Sequence, residues 1–220
     1  MSFRNIPKNL YPKFNIHSRI SNSVRDIINE VQSNPIKINN IGSTSKIQKS
    51  SFNNKSTICE YNYLNTNYIE DNKYFEKLKN NKINTNLSFH DKKEIFLKAA
   101  DLLEHKYYDK MLAYTILCQN KTIYEAELDA VCELVDFLRF NVYYCEKILE
   151  KQPISLDSVT NISEYNSLNG FVASIAPFNF TAIGGNLASA PILFNNKVLW
   201  KPSDSAILSN YLFSEIMMEA

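Results

Sequence analysis

The chain has 220 residues, 45% hydrophobic and 21% charged, with a formal net charge of +1. That composition supports a sizeable folded core and excludes a low-hydrophobicity disordered chain, and the near-zero charge gives no electrostatic drive toward nucleic acid. No apolar run approaches the roughly 18 residues that would suggest a membrane span.

From Met1 to Arg25 the chain carries Arg4, Lys8, Lys13, Arg19 and Arg25, several Ser and Asn, and no acid before Asp26. Two readings stand for residues 1–25: a mitochondrial transit peptide or a weakly basic tail. Residues 26–87 read as an irregular segment with short strands. Ile36–Ile38 and Thr57–Tyr63 alternate and contain β-formers, and Asn pairs punctuate them as loops. Ile41-Gly42 before Ser-Thr-Ser-Lys is not a phosphate loop, because the second glycine is missing.

From Ser88 the period becomes helical, and residues 88–152 are expected to form a helical layer. Ser88 or Asp91 can cap the first helix, with Glu94 three residues after Asp91. Its apolar positions are Ile95, Ala99, Leu102 and Leu103. A second helix carries Met111, Tyr114, Leu117 and Cys118 and ends near Gln119-Asn120. A third runs from about Thr122 to Glu150, with Ala126, Ala130, Val131, Leu134, Val135, Leu138, Val142 and Ile148 on one face. Pro153 stops it.

Three of the four glycines and the only tryptophan fall between Gly170 and Ser205. Phe171–Ile175 reads as a short buried strand, Thr181–Phe194 as a helix, Lys197–Lys201 as a second strand, and the stretch after Ser203 as another helix. Strand, helix, strand, helix with short joins is a βαβα unit of a parallel sheet, so 153–220 is expected to be α/β. Gly184-Gly185 permits close backbone approach.

Ligands of such sheets bind beyond the carboxyl ends of the strands. The first strand ends in Ala176-Pro177-Phe178-Asn179-Phe180 and the second in Lys201-Pro202-Ser203. The Asn179 amide can donate to developing negative charge, or it can cap the following helix. Lys201 can meet ribose hydroxyls or a phosphate, or simply be a solvated strand end. No GxGxxG is present, and the three histidines lie outside the α/β part. Cys59, Cys118, Cys132 and Cys145 have no CxxC spacing and read as buried thiols, so no metal site is expected.

IAPFNFTAIGGNLASAP followed by VLWKPSD closely resembles the aldehyde dehydrogenase superfamily, nearest to its mitochondrial glutamate gamma-semialdehyde (pyrroline-5-carboxylate) dehydrogenase branch. Further matches are Phe96–Leu103, Lys121-Thr122 with Glu125–Ala130, Asp136–Asn141 and Gln152–Ser155. The resemblance runs from about Asp91 to the C-terminus. It implies an incomplete Rossmann-type domain preceded by the helical layer, in the mitochondrial matrix. The implied activity is NAD-dependent oxidation of glutamate semialdehyde to glutamate, ending proline breakdown, through a cysteine thiolate. The implied partners are a small aldehyde and, at full length, other copies of the chain.

Carried over by resemblance, Asn179 is the oxyanion donor and Lys201 meets the adenine ribose. Ile175, Ala176, Pro177, Phe178 and Ser203 line the cofactor cleft. Phe180 packs on the substrate, and Glu133 matches an acid near it. Two departures stand out. Ala176 replaces the usual Ser, and Cys118-Gln119-Asn120-Lys121-Thr122 replaces Gly-Gln-Gly-Lys-Thr. The family's nucleophilic cysteine and general-base glutamate match nothing within 220 residues. The expectation is therefore a truncated product that cannot turn over alone, or an inactive paralogue that binds nucleotide or docks on a complete subunit.

Overall fold

A computed structural model describes residues 6–13, 17–39, 42, 44–71, 73–80 and 87–220. Helix α1 (His17–Ser33) leads into a three-stranded sheet of β1 (Ile36–Ile38), β2 (Thr44–Lys49) and β3 (Thr57–Tyr63). Its order is β1-β3-β2, with β1 parallel and β2 antiparallel to the central strand. Short helices α2 (Thr66–Asp71) and α3 (Tyr74–Asn80) follow. The sequence pattern finds β1 and β3 and misses β2, whose Thr-Ser-Lys-Ile-Gln-Lys run has only one aliphatic residue. The expected boundary at residue 25 falls inside α1, where Val24 and Val31 are both buried. Farther upstream, Asn9 and the Leu10 amide donate to Asp136, and the Lys13 amide donates to Glu127.

The helical layer comprises α4 (Phe89–His105), α5 (Tyr108–Gln119), α6 (Ile123–Ala126) and α7 (Glu133–Glu150). Ser88 is the N-cap of α4, and the capping box closes with Asp91 rather than Glu94. The buried face centres on Phe96, Ala99, Ala100 and Leu103, so Ile95 lies at its margin. Between α6 and α7, residues Glu127–Cys132 wind as a π-helix, where the sequence period suggests one continuous helix. The wider turn brings Glu127 into the interior and leaves Leu128 41% exposed. Most of the expected α7 stripe is buried, although Ile148 lies on the surface.

After an exposed arm, β4 (Val172–Ile175) and β5 (Val198–Lys201) pair in parallel. Helix α8 (Thr181–Ser189) and a 3₁₀ turn (Ala190–Phe194) connect them, and a 3₁₀ turn (Asp204–Ala206) leads into α9 (Ile207–Glu219). This is the expected mixed α/β fold with an incomplete parallel sheet. Strand β4 is not buried on both faces: Ser174 is enclosed, while Ala173 and Ile175 are exposed. The covered face is the one that α8 packs against, where the Ser174 hydroxyl donates to the Leu187 carbonyl at 2.8 Å.

The glycine pair is where α8 meets its neighbours. A Cβ on Gly184 would collide with the Asn210 side chain of α9, and one on Gly185 would lie 2.8 Å from Leu134 of α7. Thus α8 packs so close to both helices that a methyl group at either glycine would force a neighbouring side chain to shift. The placement of α8 in turn fixes the strand end that precedes it.

Candidate active-site cleft

The parallel register sets Ile175 beside Lys201, and the Ala176 amide donates to the Lys201 carbonyl at 3.0 Å. The two strand ends therefore open side by side. Ala176 is buried and Pro177 half-buried, whereas Ile175 and Phe178 are 72% and 65% exposed.

Asn179 is exposed at the mouth of this opening. Helix α8 has Phe180 as its N-cap, and no side chain caps it. The capping role open to Asn179 is thus not taken, and its amide makes no hydrogen bond among the described residues. A donor left unengaged at a strand-to-helix junction suits an oxygen that gains charge during reaction. Lys201 donates to the Pro202 carbonyl at 3.0 Å and stands 3.6 Å from Asp204, with most of its side chain open to solvent. An exposed pair of that length holds a lysine weakly. The Ser203 hydroxyl meets the Ser205 hydroxyl at 3.2 Å.

Phe180, the residue after Asn179, is half-buried. It lines a hollow of about 410 Å³ with Asp129, Cys132, Glu133 and Asp136, closed on one wall by the Asn9–Pro12 arm. Two of the three carboxylates have partners. Asp136 accepts from Asn9 and Leu10, and Asp129 pairs with Lys121 at 2.5 Å. Glu133 has none among the described residues. Burial, then the negative charge of Asp129, raises its carboxyl above the ordinary range. That is the signature of an acid facing a cavity rather than of a solvated helix carboxylate. The hollow beside β5 is larger, about 620 Å³, but its walls are mostly apolar. Its lining includes Phe171 and Lys197, just before β4 and β5, and none of the cleft groups described above.

Sequence reasoning reached Asn179, Lys201, Phe180 and Glu133, but not Lys121, Asp129, Asp136 or the arm as parts of one hollow. The spacing of Asp129, Glu133 and Asp136 at four and three residues was a legible sign of one helical face. Nothing in residues 9–12 signals where they dock. The departure at Asn120 is absorbed: Asn120 takes the left-handed conformation, φ 54°, which Asn tolerates better than other non-glycine residues. The four cysteines are buried and unpaired. Desolvation pushes Cys59 and Cys132 up to about 12 and Cys145 to about 11, and raises Cys118 as well. All four are held as neutral thiols, the wrong state for a nucleophile.

Comparison with known proteins decides the family, because the model of the aldehyde dehydrogenase family matches residues 43–220. The chain belongs to the aldehyde dehydrogenase family. Among curated family members, a probable delta-1-pyrroline-5-carboxylate dehydrogenase of Schizosaccharomyces pombe is 43% identical over 84% of this chain and 33% of its own length. The mitochondrial delta-1-pyrroline-5-carboxylate dehydrogenase of Homo sapiens is 53% identical over 59% of this chain and 23% of its own. A crystal structure of the Mycobacterium tuberculosis enzyme superposes with a TM-score of 0.87 at 33% identity, covering 100% of this chain and 42% of that one. Another structure of that enzyme is described as bound with NAD. The chain therefore spans a quarter to two fifths of the family members it matches.

Proposed function

We propose that this chain builds the first part of the cofactor cleft and the oxyanion donor of a dehydrogenase. The reaction is oxidation of L-glutamate gamma-semialdehyde, the open form of pyrroline-5-carboxylate, to L-glutamate, with NAD as the two-electron acceptor. The observation that carries this reading is the unengaged Asn179 amide beside the paired strand ends, in a chain whose curated relatives bear that activity in their names.

The residues present fit the cofactor. Lys201 offers an accessible cation at the end of β5, Ser203 an accessible hydroxyl, and Ile175 and Phe178 an exposed apolar ledge at the end of β4. Ala176 carries no hydroxyl, so contact there is through backbone. Asn179 stabilises the aldehyde oxygen as it takes up charge. Phe180 packs on the carbon chain, and Glu133 faces the ammonium end of the substrate. The nucleophilic thiolate of the reaction is none of the four buried cysteines, so this chain supplies binding and polarisation, and alone it does not turn over.

We place the protein in the mitochondrial matrix, on the names of its relatives. We also propose self-association, supported by the arm after α7, which presents Ile154, Leu156, Ile162 and Leu168 to solvent at 64–88% exposure.

Calorimetric titration with NAD tests the cleft. Saturable binding is expected, weakened about tenfold by Lys201→Ala through loss of a charged hydrogen bond. Asn179→Ala should leave nucleotide affinity unchanged, because that amide serves the aldehyde. Absence of binding, or equal affinity in Lys201→Ala, would sink the assignment.

A further inference from the structure

We infer that Lys121 is a positioning residue, held by Asp129, that fixes the Phe180 ring at the wall of the substrate hollow and with it the entry to α8. The inference rests on the proposed reading of that hollow. The end of α5 and the turn after it grip two consecutive residues immediately after Asn179. The Lys121 ammonium lies 4.3 Å from the centre of the Phe180 ring. From the last residue of α5, the Gln119 amide donates to the Thr181 hydroxyl at 2.9 Å, and that hydroxyl also meets Thr115 and Ser209. One grip is a cation on an aromatic face and the other is a buried polar network. Together they hold the first residues of α8 without touching Asn179 itself.

Lys121 is poorly placed to anchor a substrate carboxylate directly. Its side chain is only 13% exposed, and its charge is met by Asp129 at 2.5 Å. An ammonium already paired and covering a ring orients that ring. Asp129 keeps the ammonium in place, and Asn120 in its left-handed conformation aims the chain so that Lys121 can reach across. A phenylalanine wall held in one orientation keeps a flexible aliphatic aldehyde from sampling unproductive poses.

The test uses the chain labelled with 4-fluorophenylalanine, with the Phe180 fluorine signal assigned by its loss in Phe180→Leu. Lys121→Met is expected to move and broaden that signal, and Lys121→Arg to restore it, because a guanidinium keeps both the ion pair and the ring contact. Titration with L-glutamate, followed on the same signal, should show affinity about two- to fivefold weaker in Lys121→Met. A Phe180 signal that is unmoved in a folded Lys121→Met chain overturns the inference, even if thermal stability falls. If Lys121→Met does not fold, Asp129→Asn, which breaks the pair and keeps the lysine, carries the same two outcomes. Should the wild-type chain give no response to L-glutamate, the reading of the hollow as a substrate site fails, while the fluorine signal still decides the role of Lys121.

Discussion

Replacing Gly185 by alanine adds a Cβ that lies 2.8 Å from Leu134 Cδ1, 3.1 Å from its Cδ2 and 3.2 Å from Phe213 Cδ1. Ordinary carbon contacts are about 3.5–4.0 Å, so something must give by roughly half an ångström or more. Leu134, the nearest neighbour, is 0% exposed and lines neither hollow, so it has little room to retreat. Overpacking of this kind costs about 1–3 kcal/mol, and alanine returns about 1 kcal/mol through helix propensity. The net expectation for Gly185→Ala is a loss of about 0–2 kcal/mol. The sharper expectation is a change of sign. In a Leu134→Ala background, itself costing about 2–5 kcal/mol, the new methyl enters the space vacated, and Gly185→Ala becomes stabilising by about 1 kcal/mol. The coupling in the double-mutant cycle is then about 1–3 kcal/mol. Urea unfolding followed by Trp200 fluorescence measures it where it matters. Trp200 is the only tryptophan, and it packs edge-on against Phe213 at 6.2 Å. A Gly185→Ala chain that gains the full propensity term with Leu134 in place would refute the close-approach argument, and so would single effects that simply add.

Two further substitutions probe the hollow and the π-turn beside it. The Glu133 carboxyl is raised above 4.5 in the folded chain, so between 4.5 and the folded value the folded state holds the extra proton. Stability therefore falls as pH rises through that window, and the penalty is fully present above it. Glu133→Gln should raise the melting temperature at pH 7 by about 1–3 °C, the group being partly screened by solvent, and change nothing at pH 4; an equal rise at both pH values would contradict this. Tyr108→Phe removes one of two donors to the buried Glu127, leaving the Lys13 amide as the other. It should cost about 1.5–3 kcal/mol, read as a melting temperature lower by roughly 3–12 °C, and an unchanged midpoint would mean that Glu127 does not depend on this bond.

Much of this architecture is written locally. Ser88 with Asp91 and Thr122 with Glu125 start two helices, and Asn120 ends another, because caps and left-handed turns are settled by a few adjacent residues. The βαβα unit was legible for the same reason: short apolar runs separated by Pro177, Asn195-Asn196 and Pro202 leave little choice of element. The π-turn at Glu127–Cys132 was not legible, since the period there fits an ordinary helix. What widens it is the burial of Glu127 against Tyr108 and Lys13, partners 19 and 114 residues away. Strand β2 was missed because its stability comes from pairing with β3 rather than from its own composition.

The candidate site divides along the same line. By itself the sequence determined the strand ends and the residue types at them: Asn179 beside a helix start, Lys201 beside Pro202, and a glycine pair that permits close packing. Only tertiary structure decided that the Asn179 amide has no hydrogen bond among the described residues while Phe180 takes the cap position. Tertiary structure alone also brought Lys121 over that ring, and left Glu133 the one acid of three with no partner among the described residues. The physical reason is range. Element type follows from neighbours a few residues apart, whereas the state of a charge or an amide depends on which distant groups the fold sets beside it.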